Sequence, residues 1–351
     1  MSLTLAAWLH TLDPVIVSLT DSLAIRWYGI SYLAGFASAF LILHALANRR
    51  LIDIPPHRVG DALMWFVGLT LLGGRLGYVL FYQPSLLWSF SSSFPWWGGI
   101  AINQGGMASH GAMAGLVFAA WRVSRGWRGE QGILEGRTST LHVMDAIALA
   151  SPLGLFFGRC ANFINGELLG KIVAPPGVEG PWWSVQFPHE LVTRHAPELS
   201  SEQFSQLRSL AAAAAPGKPF DDQLGVLIAR AAEFAEHLKP LLSSRHPSQL
   251  YQAVAEGLVV GGIAWLFWAR PRKPGVVVAI WLIAYGVMRI VTETIRLPDD
   301  RFAVGRPLGL SRGQWLSVVM SLCGLALLIW RIRTPGNLAG GWRKKGPPAA
   351  A

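Results

Sequence analysis

The chain is apolar almost without interruption over roughly 23–47, 61–82, 106–122, 141–158, 250–269, 275–295 and 313–333. A membrane-spanning helix needs about 20 mostly apolar residues. The pattern therefore predicts an all-α polytopic membrane protein with about seven transmembrane helices. The fourth stretch is short, and the second is interrupted by Arg75. Polar residues gather between the stretches, most of all in a hydrophilic insertion over 166–247. There Ser200, with Gln203 three residues on, has the form of a capping box and predicts a helix over Ser201–Ala215. Pro216, Gly217 and Pro219 end it, and a second amphipathic run follows from Asp221 to Leu242. The expected organisation is helices one to four over 1–165, a small and mostly helical extracytoplasmic cap over 166–247, helices five to seven over 248–333, and a disordered basic tail over 334–351.

Orientation follows from the loops. Arg49, Arg50 and Arg58 lie between the first two stretches, and Arg122, Arg125, Arg128 and Arg137 between the third and fourth. Arg270, Arg272 and Lys273 follow the fifth, and Arg331, Arg333, Arg343, Lys344 and Lys345 end the chain. These segments hold half of the 30 Lys and Arg residues, whereas residues 83–105 have none. Short basic loops stay cytoplasmic, which puts the N-terminus outside and the C-terminus inside. The outer loop over 296–312 breaks this bias with Arg296, Arg301, Arg306 and Arg312, as a loop that meets an anion would.

Composition agrees. Charged residues are 14% of the chain and hydrophobic ones 52%, against about 25% charged in soluble domains. That excludes a soluble enzyme, and the apolar content excludes low-complexity disorder. A net charge of +10 raises a nucleic-acid partner, but the placement of the basic residues as cytoplasmic anchors accounts for it without one. Cys160 and Cys323, the two cysteines, allow neither a disulfide framework nor a Cys-rich zinc site. The first 25 residues carry no Lys or Arg, so no cleavable signal peptide is expected.

Charge inside an apolar helix costs about 2.5–3.5 kcal/mol per group at the centre and persists where it is paired or used. Tyr285, Arg289, Glu293 and Arg296 share one face of the sixth stretch. One reading is a structural Arg289–Glu293 ion pair; the other is an anion site, because one carboxylate cannot neutralise two arginines. At the outer end of the fourth stretch, Arg159, Asn162, Asn165 and Glu167 supply a guanidinium, two amides and a carboxylate. Arginine suits phosphate because its planar fork donates two hydrogen bonds at once; the plainer reading is a capped helix end. His110 opens the third stretch beside Gly111 and Gly115, a small-xxx-small pair, and is either a structural histidine or a general base. The segments around Arg26–Gly29, Gly73–Tyr78 and His246–Tyr251, with Glu256 further along, are interfacial anchors or parts of a site.

With these residues assembled, the chain resembles the prolipoprotein diacylglyceryl transferase family. GRCANFINGELLG at 158–170 is similar to that family's GRxxNFINxE signature. RWYG at 26–29, GGRLGYVLFY at 73–82, SHGAMAG at 109–115, RHPSQLYQ at 245–252, YGVMRIVTETIRLPD at 285–299 and LSRGQWLSVVM at 310–320 follow in family order. Three departures stand out: Ala112 where a second glycine is common, Gln252 where Glu is frequent, and a long, Ala-rich insertion.

The resemblance implies a bacterial inner-membrane enzyme that moves the diacylglyceryl group of phosphatidylglycerol onto the lipobox cysteine of a preprolipoprotein signal peptide, releasing glycerol 1-phosphate. The nucleophile then belongs to the substrate. By the same resemblance Arg159 and Arg289 hold and polarise the phosphodiester, Glu293 orients Arg289, and Arg296 adds positive potential. Asn162, Asn165 and Glu167 contact the headgroup or fix the loop, His110 takes the thiol proton, and Tyr28 and Tyr285 supply hydroxyls. No metal or organic cofactor is implied, and the partners are the lipid bilayer, phosphatidylglycerol and the signal peptide. A secondary transporter for an anion and a non-catalytic binder of acidic phospholipid remain as alternatives.

Overall fold

A computed structural model describes residues 7–20, 24–92, 95–101, 105–129, 131–297 and 309–342 of the chain. Arg301, Arg306, Arg343, Lys344 and Lys345, singled out in the sequence, lie outside these residues. The helices are α1 (Trp27–Asn48), α2 (Val59–Tyr82), α3 (Ser109–Ser124), α4 (Thr140–Ile164), α5 (Ser201–Ala214), α6 (Phe220–Ala229), α7 (Ala235–Leu238), α8 (Ser248–Gln252), α9 (Val260–Trp268), α10 (Val276–Glu293) and α11 (Arg312–Arg333). Among the described residues six segments are long and apolar enough to cross a membrane: Trp27–Asn48, Pro56–Tyr82, Thr140–Ile164, Ser248–Trp268, Val276–Glu293 and Gly313–Arg333. In the last of these only 11% of the apolar window is buried within the protein, a surface stable against lipid tails and not against water. The protein is a polytopic membrane protein.

Two helices differ from their apolar stretches. The third stretch becomes helical only at Ser109, because Gly105 and Gly106 take φ of 77° and 72°, which an α-helix cannot contain. The resulting α3 has 16 residues. Helix α4 runs past its expected end at 158 to Ile164, with Pro152 inside it, and so carries Arg159 and Asn162 in its closing turns.

The described chain falls into two compact units. One comprises Met1–Gly35, Gly154–Val260 and Tyr285–Val319. The strands of the described chain are β1 (Trp8–Leu9), β2 (Val15–Ser18), β3 (Ala24–Arg26), β4 (Trp127–Arg128), β5 (Leu134–Glu135), β6 (Ile172–Ala174), β7 (Val185–Gln186) and β8 (Ser244–Arg245). The first unit contains the insertion, where a four-stranded sheet joins the expected helices in the order β1-β7-β8-β6. Strand β1 runs parallel to β7, pairing Trp8 with Val185, so the N-terminal segment completes the sheet of the insertion. The capping box at Ser200 and Gln203 opens α5, whose Leu207 and Ala211 pack with Leu224 and Leu227 of α6 and with Leu9. The run expected to continue from Asp221 to Leu242 is broken after Ala229, where the Arg230 side chain turns back to the Ala214 carbonyl and to Glu233.

The other unit comprises Phe36–Leu153, Gly261–Ala284 and Met320–Ala351. Here α2 and α3 meet backbone to backbone. A methyl on Gly77 would stand 2.8 Å from the Gly111 Cα, and one on Gly115 would overlap the Leu69 carbonyl. Ala112 is accommodated because it faces Gly74. Arg75, 2% exposed, donates to the carbonyls of Gly98 (2.6 Å), Gly105 and Gly106 (3.2 Å), fastening the connection ahead of α3. The start of the expected loose tail is packed: Ala339 pairs with Arg272, and Trp342 stacks on Trp265 at 5.2 Å.

Candidate active site

The site is built within the first unit, from α4, α10 and the segment Ser248–Trp268. Arg159 and Asn162 are one turn apart on α4 and so share a face. The segment opposite begins as α8, widens into a π-helix over Ala253–Val259 and continues as α9. Its Gly257 lies on Phe156 of α4, where a methyl would come within 2.7 Å of the Phe156 Cβ. That close approach brings the preceding residue, Glu256, up to Arg159. Helix α10 supplies Tyr285, Arg289, Thr292 and Glu293 over its last turns.

Glu256 is fully buried, and each of its oxygens serves a different arginine. Oε2 accepts from Arg159 Nη2 at 2.8 Å and Nε at 3.2 Å. Oε1 accepts from Arg289 Nη1 at 3.1 Å and from the Thr292 hydroxyl at 3.2 Å. Arg289 Nη2 reaches Glu293 at 3.1 Å, and Arg296 Nη1 reaches the same carboxylate at 3.6 Å. Arg159 also donates to the Tyr285 hydroxyl oxygen. The Arg159 and Arg289 side chains keep 16% and 14% exposure, so both remain within reach of a ligand. Glu293 Oε1 lies against the first turn of α11, 3.2 Å from where a Gly313 methyl would stand; a helix N-terminus favours a carboxylate there.

The loop after α4 is held from several sides. Lys171 N–H donates to the Ile295 carbonyl at 2.8 Å, and Leu297 N–H to Leu169 at 3.0 Å. The Ser248 hydroxyl donates to the Leu168 carbonyl at 2.9 Å, and the Gln249 amide to that of Glu167. Within the loop Asn165 donates to the Glu167 carboxylate at 3.2 Å, while Glu167 stays exposed. Tyr28 donates to Asn162 Oδ1 at 2.7 Å, joining α1 to the end of α4. His10 meets the Phe163 carbonyl at 2.7 Å, and burial pushes its pKa below the ordinary value.

The expected stripe on α10 is corrected in two respects. The helix ends at Glu293, so Arg296 lies beyond it, where its backbone bridges to Gly170. More important, the arginines meet two carboxylates and not one. Glu256 was legible as a charge in an apolar stretch, the same signal that singled out Arg289, but the sequence gives no distance from it to Arg159. Three guanidiniums and two carboxylates leave the ion-paired cluster one positive charge in excess. His110 belongs to the other unit, on α3, where its ring packs on Phe81 at 5.2 Å and Tyr82 at 5.8 Å. Among the described residues no group of three or more His, Cys, Asp or Glu is arranged to hold a metal ion.

A family model for prolipoprotein diacylglyceryl transferase matches residues 14–330. The phosphatidylglycerol–prolipoprotein diacylglyceryl transferase of Bdellovibrio bacteriovorus is 36% identical over 95% of this chain and 97% of its own length. The protein of the same name in Ralstonia pickettii is 37% identical, covering 93% of this chain and 95% of its own. That of Neisseria gonorrhoeae is 36% identical over 90% and 94%. A match that runs through both units and includes every element of the arginine–carboxylate cluster leaves one assignment: the chain belongs to the prolipoprotein diacylglyceryl transferase family.

Proposed function

We propose that the protein transfers the diacylglyceryl group of phosphatidylglycerol to the lipobox cysteine of a preprolipoprotein. The observation that carries this reading is the pair of partly exposed guanidiniums, Arg159 and Arg289, tied to one buried carboxylate. In the reaction a cysteine thiolate attacks the glyceryl carbon bonded to phosphate oxygen. A sulfur–carbon bond forms, the carbon–oxygen bond breaks, and its electron pair leaves with the oxygen as glycerol 1-phosphate. Negative charge grows on the phosphate throughout, so cations already in place lower the barrier without reorganising. Arg159 and Arg289 fill that role, with Glu293 orienting Arg289 and Arg296 adding positive potential. Asn162, Asn165 and Glu167 read the headgroup or hold the loop, and Tyr28 and Tyr285 fix Asn162 and Arg159. The resemblance nominates His110 as the base for the thiol proton. For that role, His110→Asn is expected to change the pH–rate profile; an unchanged profile makes His110 structural.

The setting we infer is the bacterial inner membrane, N-terminus outside and C-terminus cytoplasmic. Basic residues at 49–58 and again at 122–137 require both α2 and α3 to cross. Helix α3 spans about 24 Å, short of the roughly 30 Å hydrocarbon core, and crosses as the seventh span by packing closely on α2. The insertion then forms an extracytoplasmic cap. Incubating the purified protein with phosphatidylglycerol and a lipobox peptide tests the reading. The expected product is the peptide carrying a diacylglyceryl thioether, seen by mass; unmodified peptide with intact lipid overturns it.

A further inference from the structure

The ion-paired cluster has a defined charge. Arg159, Arg289 and Arg296 against Glu256 and Glu293 leave one positive charge, and four of these five side chains are tied directly or through Arg289 to Glu256. Glu167 adds its charge nearby but is exposed and screened by water. Glu256 itself is fully buried, between the two guanidiniums that an anion would address, and a π-helical turn holds it there. π-Helical turns within α-helices recur at functional sites. Burying a carboxylate against two arginines weakens their pull on any ligand, so a site evolved only for tight phosphate binding has no use for it.

We infer that Glu256 sets the charge of the site to match a phosphodiester and to withhold the extra grip on a phosphomonoester that the guanidiniums would have without it. The inference rests on the proposed reaction. Its substrate diester carries one negative charge at phosphate, which the cluster neutralises. Its product monoester carries close to two at neutral pH and above, because the second ionisation lies near pH 6. When the carbon–oxygen bond breaks, the phosphate gains a charge that the same guanidiniums meet with less net positive charge than they would have without Glu256, and the product is released. Glu256 is thus a positioning and charge-setting residue that favours turnover over retention of product.

Titration calorimetry at pH 8 on the purified full chain tests this with two soluble probes. Glycerophosphoglycerol is the monoanionic diester and glycerol 1-phosphate the dianionic monoester. In the unaltered protein the dianion is expected to bind no more than about threefold more tightly than the diester. Glu256→Gln is expected to tighten glycerol 1-phosphate by about tenfold or more relative to the diester, with turnover slowing after a first burst of product. Glu256→Asp, which keeps the charge, restores the original ratio. A dianion preference above about tenfold in the unaltered protein overturns the inference, as does an unchanged ratio in Glu256→Gln. Should Glu256→Gln fail to fold, the ratio in the unaltered protein decides alone. Because binding needs no turnover, a chain that shows these ratios but forms no thioether removes the proposed reaction and leaves the charge matching intact.

Discussion

Two arginine–carboxylate clusters lie in the same unit and have opposite character. In the insertion, Arg245 and Glu190 are both fully buried and bonded to each other. Arg245 donates its remaining hydrogen bonds to the carbonyls of Gly170 (3.2 Å) and His195 (2.8 Å), and Glu190 takes the Ser243 N–H at 2.6 Å. Burial pushes the Glu190 carboxyl upward, and Arg245 opposes it. Charge is balanced one to one, and the pair is closed. The cluster on Glu256 is charged in excess and partly open, and the carboxylate it holds competes for the cations that an anion needs. Ion pairs alone therefore do not mark a site. Stoichiometry and access do.

The two clusters are expected to fail differently. Arg245→Met leaves Glu190 buried without its charge partner and is expected to cost about 3–5 kcal/mol of stability. Thermal unfolding in detergent measures it, and Arg245→Met with Glu190→Leu recovers most of the loss. A stable single variant breaks the comparison from the structural side. Arg159→Lys and Arg289→Lys are expected to lower thioether formation about 100-fold while membrane insertion is kept, because a point charge replaces the planar fork. Near-normal turnover in either breaks it from the functional side. Gly313→Ala places a methyl 3.2 Å from Glu293 Oε1, shifting the carboxylate that steadies Arg289. A loss of activity of about tenfold with the melting temperature nearly unchanged is the expected result. The smallest effect belongs to His10. Its lowered pKa means that the unfolded chain takes up a proton before the folded one does, so stability falls as pH drops below about 6.5. His10→Gln flattens that dependence in melts recorded across pH 5 to 8.

The sequence carries some of this plainly and hides the rest for physical reasons. Apolar length marked six of the spans, and the cost of charge in lipid marked Arg289 and Glu293 on α10. The capping box at Ser200 announced α5 because its signal is local. Strands of two or three residues carry no alternation to detect, and β1 pairs with β7 across more than half the chain, so the sheet was invisible. Glu256 was visible as a residue and not as a partner. Its role depends on the approach of α4 at Gly257, a contact between distant segments, and on a helical turn of unusual width.

That wide turn makes the number of residues in the backbone a determinant of chemistry. Removing one residue from 253–255 would let the segment rewind as ordinary α-helix, so that the helix on either side keeps its facing while the residues within the turn rotate by up to about 100°. Glu256 and Gly257 would then face different neighbours although every side chain needed was still present. Insertions and deletions here are expected to be as damaging as loss of an arginine, in a stretch whose composition is otherwise that of any greasy helix.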